Sequence, residues 1–357
     1  MMVLPEKIEC WQMVEPGRLA RARLDVPELK PGEVLVEITA CGVCHTDIGY
    51  FYDGVPTVTK PPLTLGHEIS GRVVAGEESL LGKEVIVPAV MPCNNCPICA
   101  MGRGNRCLAQ KMPGNSLGVY GGFASHIPVP AADLCVVPER KGIPLEYLAV
   151  VADAISTPYQ AAKRADLKAG DRVVIIGAGG GVGSYMTQVT AALDAGVVIA
   201  IDQVAEKLER ARQYGATHTI NSRDKSIKEI RDEFRSYCKD NGLPANYGWK
   251  IFECSGSRGG QEIGLELLSF VSKMIVIGYG MHKIEYMFSR LMAFDAELIG
   301  TWGCLPGYYP EVLKLVLEGR IKIEPFVEVR PMSTITGAFK EAHSGRLMKR
   351  IILTPDF

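Results

Sequence analysis

Residues 41–68, CGVCHTDIGYFYDGVPTVTKPPLTLGHE, carry a thiol (Cys44), an imidazole (His67), two acids (Asp47 and Glu68) and a hydroxyl (Thr46) in close succession. Thiolate sulfur and neutral imidazole nitrogen are preferred zinc ligands. A catalytic zinc takes three protein ligands and leaves a fourth position open. The stretch supplies two, so a third must come from elsewhere. The expectation is a catalytic metal site, with the rest of the chain positioning a cofactor against it.

A second cluster, CNNCPICAMGRGNRC, spans residues 93–107. Cys93, Cys96, Cys99 and Cys107 follow the spacing C-x2-C-x2-C-x7-C. Four thiolates close a tetrahedral zinc site with no open position, which makes such a site structural. An iron–sulfur cluster also uses four thiolates, but no other feature of the chain points to electron transfer. Eleven cysteines, an odd number, without an export signal argue against a disulfide framework and for a reducing, cytoplasmic compartment.

A third motif, DRVVIIGAGGGVGS, reads as a strand, a glycine-rich turn and the start of a helix. Glycines stand at Gly177, Gly179, Gly180, Gly181 and Gly183, and Val182 sits where a strict G-x-G-x-x-G would end. The loop is one residue longer. Such a turn still lets backbone N–H groups approach a pyrophosphate at a helix N-terminus. Asp202 ends the next strand. An acid there accepts hydrogen bonds from the adenosine ribose hydroxyls and repels a 2′-phosphate, favouring NAD over NADP. The bland alternative is a packing turn followed by a solvated acid.

These motifs need elements to hold them. The first 150 residues read as short strands, including VLVEITACG, RVVA and EVIVPAV. From about residue 150 the texture changes. VVADAISTPYQAAKRA reads as a helix, followed by DRVVIIG, VVIAID, HTINS, KIFECSG and KMIVIGY as strands with helical stretches between them. That alternation predicts a parallel sheet with helices on both faces. GYYPEVLKLVLEGRI is an amphipathic helix and MKRIILTP a last strand. The fold class expected is α/β.

Composition closes off other classes. Of 357 residues 47% are hydrophobic and 22% charged, with a net charge of −1, so there is no electrostatic footprint for nucleic acid or an anionic membrane. Residues 173–201 are nearly uncharged, Asp194 being the exception, and are long enough to raise a membrane span. The glycines at 177–183 and Asp202 fit a soluble strand–turn–helix–strand better.

GVCHTD, LGHE, the four-cysteine lobe, GAGGGVG and RIILTP, in that order, resemble the zinc-dependent medium-chain dehydrogenases, typified by alcohol dehydrogenases. The resemblance covers the whole chain. It implies a β-rich, GroES-like catalytic domain from residues 1–155 and 300–357, bearing the zinc lobe 93–107. Residues 156–299 become an inserted Rossmann-type, doubly wound NAD-binding domain, with the active site in the cleft between the two. It implies NAD and two zinc ions, one catalytic and one structural, in a homodimer or homotetramer. Cys44 and His67 become zinc ligands, and Asp47 the acceptor for the His67 N–H. Glu68 becomes an alternative ligand or a balancing charge. Many members have a cysteine as third ligand just before the cofactor domain; this chain has Asp153 there, and polyol dehydrogenases use a glutamate.

Thr46 matches the hydroxyl that takes the substrate proton. The histidine that several members place five residues after the cysteine is Gly49 here, so the proton leaves through water or His45; His45 is also a candidate for the pyrophosphate. Lys207 matches a ribose contact, Arg350 a pyrophosphate contact, and Ile277 and Gly278 flank the nicotinamide. Longer segments, among them PAVMPC, GGFASH, VVADAISTPYQ, KIFECSG and WGCLP, resemble those members that oxidise a ring alcohol of a CoA thioester. Arg258, Lys283 and Arg290 are the cations a CoA would want, although ordinary surface charge is the better reading of each. The alternatives are a general secondary-alcohol or polyol dehydrogenase and a zinc-stabilised NAD-binding protein without turnover. Cys44→Ser separates the last, because it would have no activity to lose.

Overall fold

The computed structural model describes residues 5–357. Met1–Leu4, the start of the stretch read for an export signal, lie outside the described residues. The chain divides into two compact units. One runs to Ser156 and resumes over Gly303–Gly319 and Ile323–Phe357; the other comprises Thr157–Trp302 and Arg320–Lys322.

In the first unit, Lys7–Glu15 and Arg18–Asp25 form an antiparallel hairpin. A larger sheet runs in the order Val327–Pro331, Arg350–Thr354, Glu33–Gly42, Glu68–Ala75, Glu84–Val87, Cys135–Val136, and His126–Pro130 also pairs with Glu33–Gly42. Val34, Leu35 and Val36 are all buried, so the central strand is packed on both faces. Leu63, Phe123, Phe339, Ile351 and Leu353 belong to the same apolar core. Full burial of each such side chain contributes about 1.5–3 kcal/mol. The register gathers the chemistry. Gly42 stands opposite Glu68 on one neighbouring strand and opposite Ile352 on the other. Cys44 follows just beyond Gly42, and Arg350 precedes Ile352. Residues from both ends of the chain therefore meet at one end of the sheet.

The second unit holds a six-stranded sheet in the order His218–Asn221, Val197–Asp202, Arg172–Ile176, Trp249–Glu253, Lys273–Val276, Glu297–Gly300. Every pairing in it is parallel. This is the 3-2-1-4-5-6 order of doubly wound dinucleotide folds. The order reverses between Arg172–Ile176 and Trp249–Glu253, and the carboxyl ends of such a pair form the ligand crevice. Val173, Val174 and Ile175 are fully buried, which accounts for the continuous apolar run. The helix Ile227–Asp240 starts at a capping box between Ser226 and Glu229. Residues 173–201 are thus two central strands and the buried helix Gly181–Ala192. Among the described residues no helix is long and apolar enough to cross a membrane.

Two readings of secondary structure require correction. VVADAISTPYQAAKRA is not one helix. A 3-10 helix, Leu145–Ala152, stops at Asp153 (φ −143°, ψ −56°), and an α-helix begins at Ser156. The interruption turns the Asp153 carboxylate toward Cys44 and His67. The sixth strand, Glu297–Gly300, was not expected. It is a short edge strand with little burial, so neither alternation nor an apolar run marks it.

Candidate active site

Cys44 ends the loop after Glu33–Gly42 and caps the helix His45–Tyr52. His67 immediately precedes the strand Glu68–Ala75. Ligand atoms of Cys44, His67, Glu68 and Asp153 all lie within 4.8 Å of one another. Asp153 Oδ2 is 3.6 Å from Cys44 Sγ and 3.6 Å from His67 Nε2. Ligands held at about 2.0–2.3 Å from a tetrahedral zinc are separated by roughly 3.3–3.8 Å, so this donor set fits the metal. One thiolate and one carboxylate would neutralise its charge.

Asp47 orients the ligands from beneath. It is fully buried. Its Oδ1 lies 3.2 Å from His67 Nδ1 and accepts from the Gly66 N–H, while Oδ2 accepts from the Cys44 N–H. With Nδ1 held by a carboxylate, Nε2 is the nitrogen presented to a metal. Burial alone would lower the His67 pKa, but the carboxylates of Asp47 and Asp153 outweigh it and raise it well above the ordinary value.

Glu68 is fully buried beside this set. Arg350, only 7% exposed, donates to Glu68 Oε1 at 2.6 Å and to the Val43 carbonyl at 3.1 Å. Burial pushes the Glu68 carboxyl up to about 7 against the pull of Arg350. Glu68 Oε2 and Arg350 Nε are buried without a hydrogen-bond partner.

The four-cysteine lobe is a separate cluster. Cys96 Sγ is 3.5 Å from Cys99 Sγ and 3.8 Å from Cys107 Sγ, the edge lengths a zinc tetrathiolate requires. Cys107 Sγ accepts from the N–H groups of Cys93 and Ala109. The N–H groups of Leu108 and Cys99 pull the Cys96 thiol down to about 6. All eleven cysteines are free of disulfides.

The glycine-rich loop has the space a pyrophosphate needs. Gly180 caps the helix Gly181–Ala192 with no side chain over its N-terminus, and Gly180 and Gly181 are exposed. Gly177 has a φ of +75°, which favours glycine. A Cβ on Gly183 would lie 2.0 Å from the Gly177 carbonyl oxygen. Val182, at the position where a strict motif would end, is tolerated because Gly183 makes the close approach instead. The Asp202 carboxylate accepts from the N–H groups of Gly179, Gln203 and Val204 at 2.8–3.0 Å. Lys207 packs beside Asp202 against Gly179. The unit thus fits a dinucleotide.

Residues 30–139 match the family model described as alcohol dehydrogenase GroES-like domain, and residues 181–318 match zinc-binding dehydrogenase. The chain is 30% identical over 339 residues to an alcohol dehydrogenase of Geobacillus stearothermophilus, covering 92% of this chain and 93% of that one. It belongs to the zinc-dependent medium-chain alcohol dehydrogenase family, whose members act on CH–OH groups. Sorbitol dehydrogenase 1 of Saccharomyces cerevisiae is 27% identical over 350 residues, covering 95% of this chain and 96% of the relative. The structure of acetophenone reductase from Geotrichum candidum in complex with NAD superposes with a TM-score of 0.85 at 25% identity, covering 99% and 98% of the two chains.

Not every expected residue of this dehydrogenase sits where a role would be obvious. Thr46 Oγ1 is 3.7 Å from Cys44 Sγ and is half-buried. His45 is exposed at the start of its helix. A Cβ on Gly49 would meet Val55 Cγ2 at 3.4 Å, so Val55 fills the space beside it. Ile277 and Gly278 lie just beyond the strand Lys273–Val276, and their N–H groups donate to the Glu253 carbonyl. Arg258 pairs with Glu262 and Arg290 with Glu266, as ordinary surface charges do.

Tyr309 was not singled out in the sequence. Its ring is fully buried. Its hydroxyl donates to the Ala152 carbonyl, directly before Asp153, and accepts from the Ala89 N–H at 3.1 Å. Only its place in an amphipathic helix marked it as core. Tyr309→Phe strands the buried Ala89 N–H and leaves the Ala152 carbonyl with the Ser156 hydroxyl, and is expected to cost about 1–3 kcal/mol in urea unfolding. A loss below 0.5 kcal/mol would show that the phenol does not anchor the Asp153 turn.

Proposed function

We propose that the protein oxidises the ring alcohol of 6-hydroxycyclohex-1-ene-1-carbonyl-CoA to the 6-oxo compound with NAD, as a step of anaerobic benzoyl-CoA degradation. The setting is the cytoplasm, and the assembly a homodimer or homotetramer. The observation that carries alcohol oxidation is the set of Cys44, His67 and Asp153 donors, with Asp153 Oδ2 3.6 Å from each of the other two. The CoA thioester is supported by the long segments around PAVMPC, VVADAISTPYQ and WGCLP.

When bound, zinc acts as a Lewis acid on the alcohol oxygen, and NAD supplies the hydride acceptor. The chain's own residues do the rest. Cys44, His67 and Asp153 form the ligand set, with Glu68 as a neighbouring carboxylate held back by Arg350. Asp47 fixes the imidazole. Thr46 takes the carbinol proton at Oγ1. From there it passes to solvent directly or through His45, since Gly49 offers no imidazole. The amides at Gly181 and Val182, at the first turn of the helix Gly181–Ala192, face the pyrophosphate. Asp202 and Lys207 hold the adenosine ribose, and Ile277 and Gly278 flank the nicotinamide. Cys93, Cys96, Cys99 and Cys107 hold the structural zinc.

A general secondary-alcohol or polyol dehydrogenase is the second reading, favoured by the likeness to sorbitol dehydrogenase 1. NADH formation with the hydroxycyclohexene-carbonyl-CoA, free cyclic alcohols and sorbitol separates the two. Two zinc ions per chain are expected in the same preparation. A kcat/KM for sorbitol above that for the thioester would move the assignment to the polyol reading; a single zinc would remove one of the two sites.

Asp202 gives a further expected outcome. Asp202→Ala removes the ribose acceptor and frees the Gly179 N–H, so KM for NAD should rise about tenfold or more while turnover with NADP appears. Unchanged cofactor preference in initial rates would separate Asp202 from the ribose.

A further inference from the structure

Glu253 is a fully buried acid in the cofactor-binding unit, at the carboxyl end of the strand Trp249–Glu253. That end borders the crevice where the strand order reverses. Among the described residues no lysine, arginine or histidine donates a hydrogen bond or ion pair to its carboxylate. Instead the carboxylate accepts from the chain that follows it. Oε1 takes the Ser255 N–H at 2.8 Å, the Ser255 hydroxyl and the Gly256 N–H at 3.1 Å, and Oε2 lies 3.3 Å from the same Gly256 N–H. A buried carboxylate costs several kcal/mol unless hydrogen-bonded, so the turn and the acid require one another.

The turn held in this way is the surface on which two cofactor-facing segments rest. A Cβ on Gly177, which opens the glycine-rich loop, would lie 2.7 Å from Ser255 Cβ. A Cβ on Gly278 would lie 2.1 Å from Gly256 N, and one on Gly280 1.9 Å from Gly256 O. The backbone of Glu253 itself accepts from the N–H groups of Ile277 at 2.9 Å and Gly278 at 3.0 Å. The first turn of the helix Arg258–Leu267 closes over the acid, since a Cβ on Gly260 would lie 3.1 Å from Glu253 Oε1. The pyrophosphate loop and the nicotinamide-flanking residues therefore meet at one turn, and one side chain sets that turn.

We propose that Glu253 is a positioning residue for the dinucleotide, fixing the Ser255–Gly256 turn so that Gly177 and Gly278 hold the two ends of the cofactor in register. This rests on the NAD assignment above. Burial raises the Glu253 pKa, and the Ser255 and Gly256 donors oppose that rise. The acid is an acceptor in this network, so an amide oxygen at the same place can do much of its work.

The test compares wild type, E253A, E253Q and Gly280→Ala for NADH affinity by fluorescence, for KM and kcat, for zinc content and for thermal unfolding without cofactor. E253A is expected to weaken NADH binding and raise KM for NAD about tenfold, with KM for the alcohol and the two zincs unchanged. E253Q should stay within about threefold of wild type, as a rescue by the conservative variant. If E253A does not fold, Gly280→Ala displaces the same turn through the Gly256 carbonyl and should show the same cofactor-selective loss. A lowered melting temperature with NADH affinity within about twofold of wild type would make Glu253 merely structural and overturn the proposal. Wild-type protein without NADH affinity would instead sink the NAD assignment itself.

Discussion

Asp153→Ala is expected to reduce the zinc content from two ions per chain to one and to lower kcat/KM by about 10³-fold or more. Asp153 is the donor that lies 3.6 Å from both Cys44 Sγ and His67 Nε2. Without it, a thiolate and an imidazole remain, with Glu68 held by Arg350 at 2.6 Å. A catalytic zinc with two protein ligands is weakly held. The loss of a Lewis acid worth several kcal/mol at the alcohol oxygen sets the size of the effect, at 1.36 kcal/mol per factor of ten. Asp153→Cys should keep both zincs, because a thiolate suits the metal and preserves the charge. The softer ligand leaves the zinc a weaker Lewis acid, so turnover should fall while metal content does not. Two zincs and full activity in Asp153→Ala would transfer the third ligand to Glu68. The four-cysteine zinc serves as the internal standard, since its ligands form a separate cluster.

Arg350→Met carries the largest expected effect on stability, about 3–5 kcal/mol. Glu68 is fully buried and Arg350 nearly so. Removing the guanidinium leaves a buried carboxyl whose partner is gone, and the cost is chiefly that of the uncompensated charge. Methionine fills much of the volume, which separates the charge from a cavity. The double variant Arg350→Met with Glu68→Gln should recover a large part of the loss, and the coupling energy from urea unfolding measures the pair. A single-variant loss below 1 kcal/mol would mean that Glu68 takes up a proton at little cost and that the pair is not an anchor.

Much of this was legible in the amino-acid sequence because zinc and dinucleotide chemistry constrain spacing. Four thiols in fifteen residues reach one tetrahedron with only local turns to help. A strand, a glycine turn and a helix place N–H groups at an anion site without long-range contacts. Cys44, Asp47 and His67 are close enough in sequence for the pattern to show, and the chemistry of Cys44 and His67 announced that a third ligand was missing. Asp153 was found through resemblance, because no spacing rule links it to Cys44. The helix that was expected to run through it is broken there, so the backbone, more than the residue type, delivers the carboxylate.

Other features depended on register and packing. Arg350 was matched as a pyrophosphate contact, and its pairing with Glu68 appears only in the sheet, because Gly42 pairs with both Glu68 and Ile352. Tyr309 holds the Ala152 carbonyl from a distant segment, and nothing local to either residue marks the bond. Glu253 reads in sequence as the polar end of a strand, and its importance appears only when Gly177 and Gly278 close on the turn it caps. Side-chain type and short spacing were enough for a thiolate and an imidazole suited to zinc within residues 41–68, and the family resemblance added Asp47 as the acid that orients the imidazole. Only the tertiary structure brings Asp153 within 3.6 Å of Cys44 Sγ and His67 Nε2 and pairs Glu68 with Arg350, because hydrogen-bonded register fixes neighbours that sequence distance does not encode.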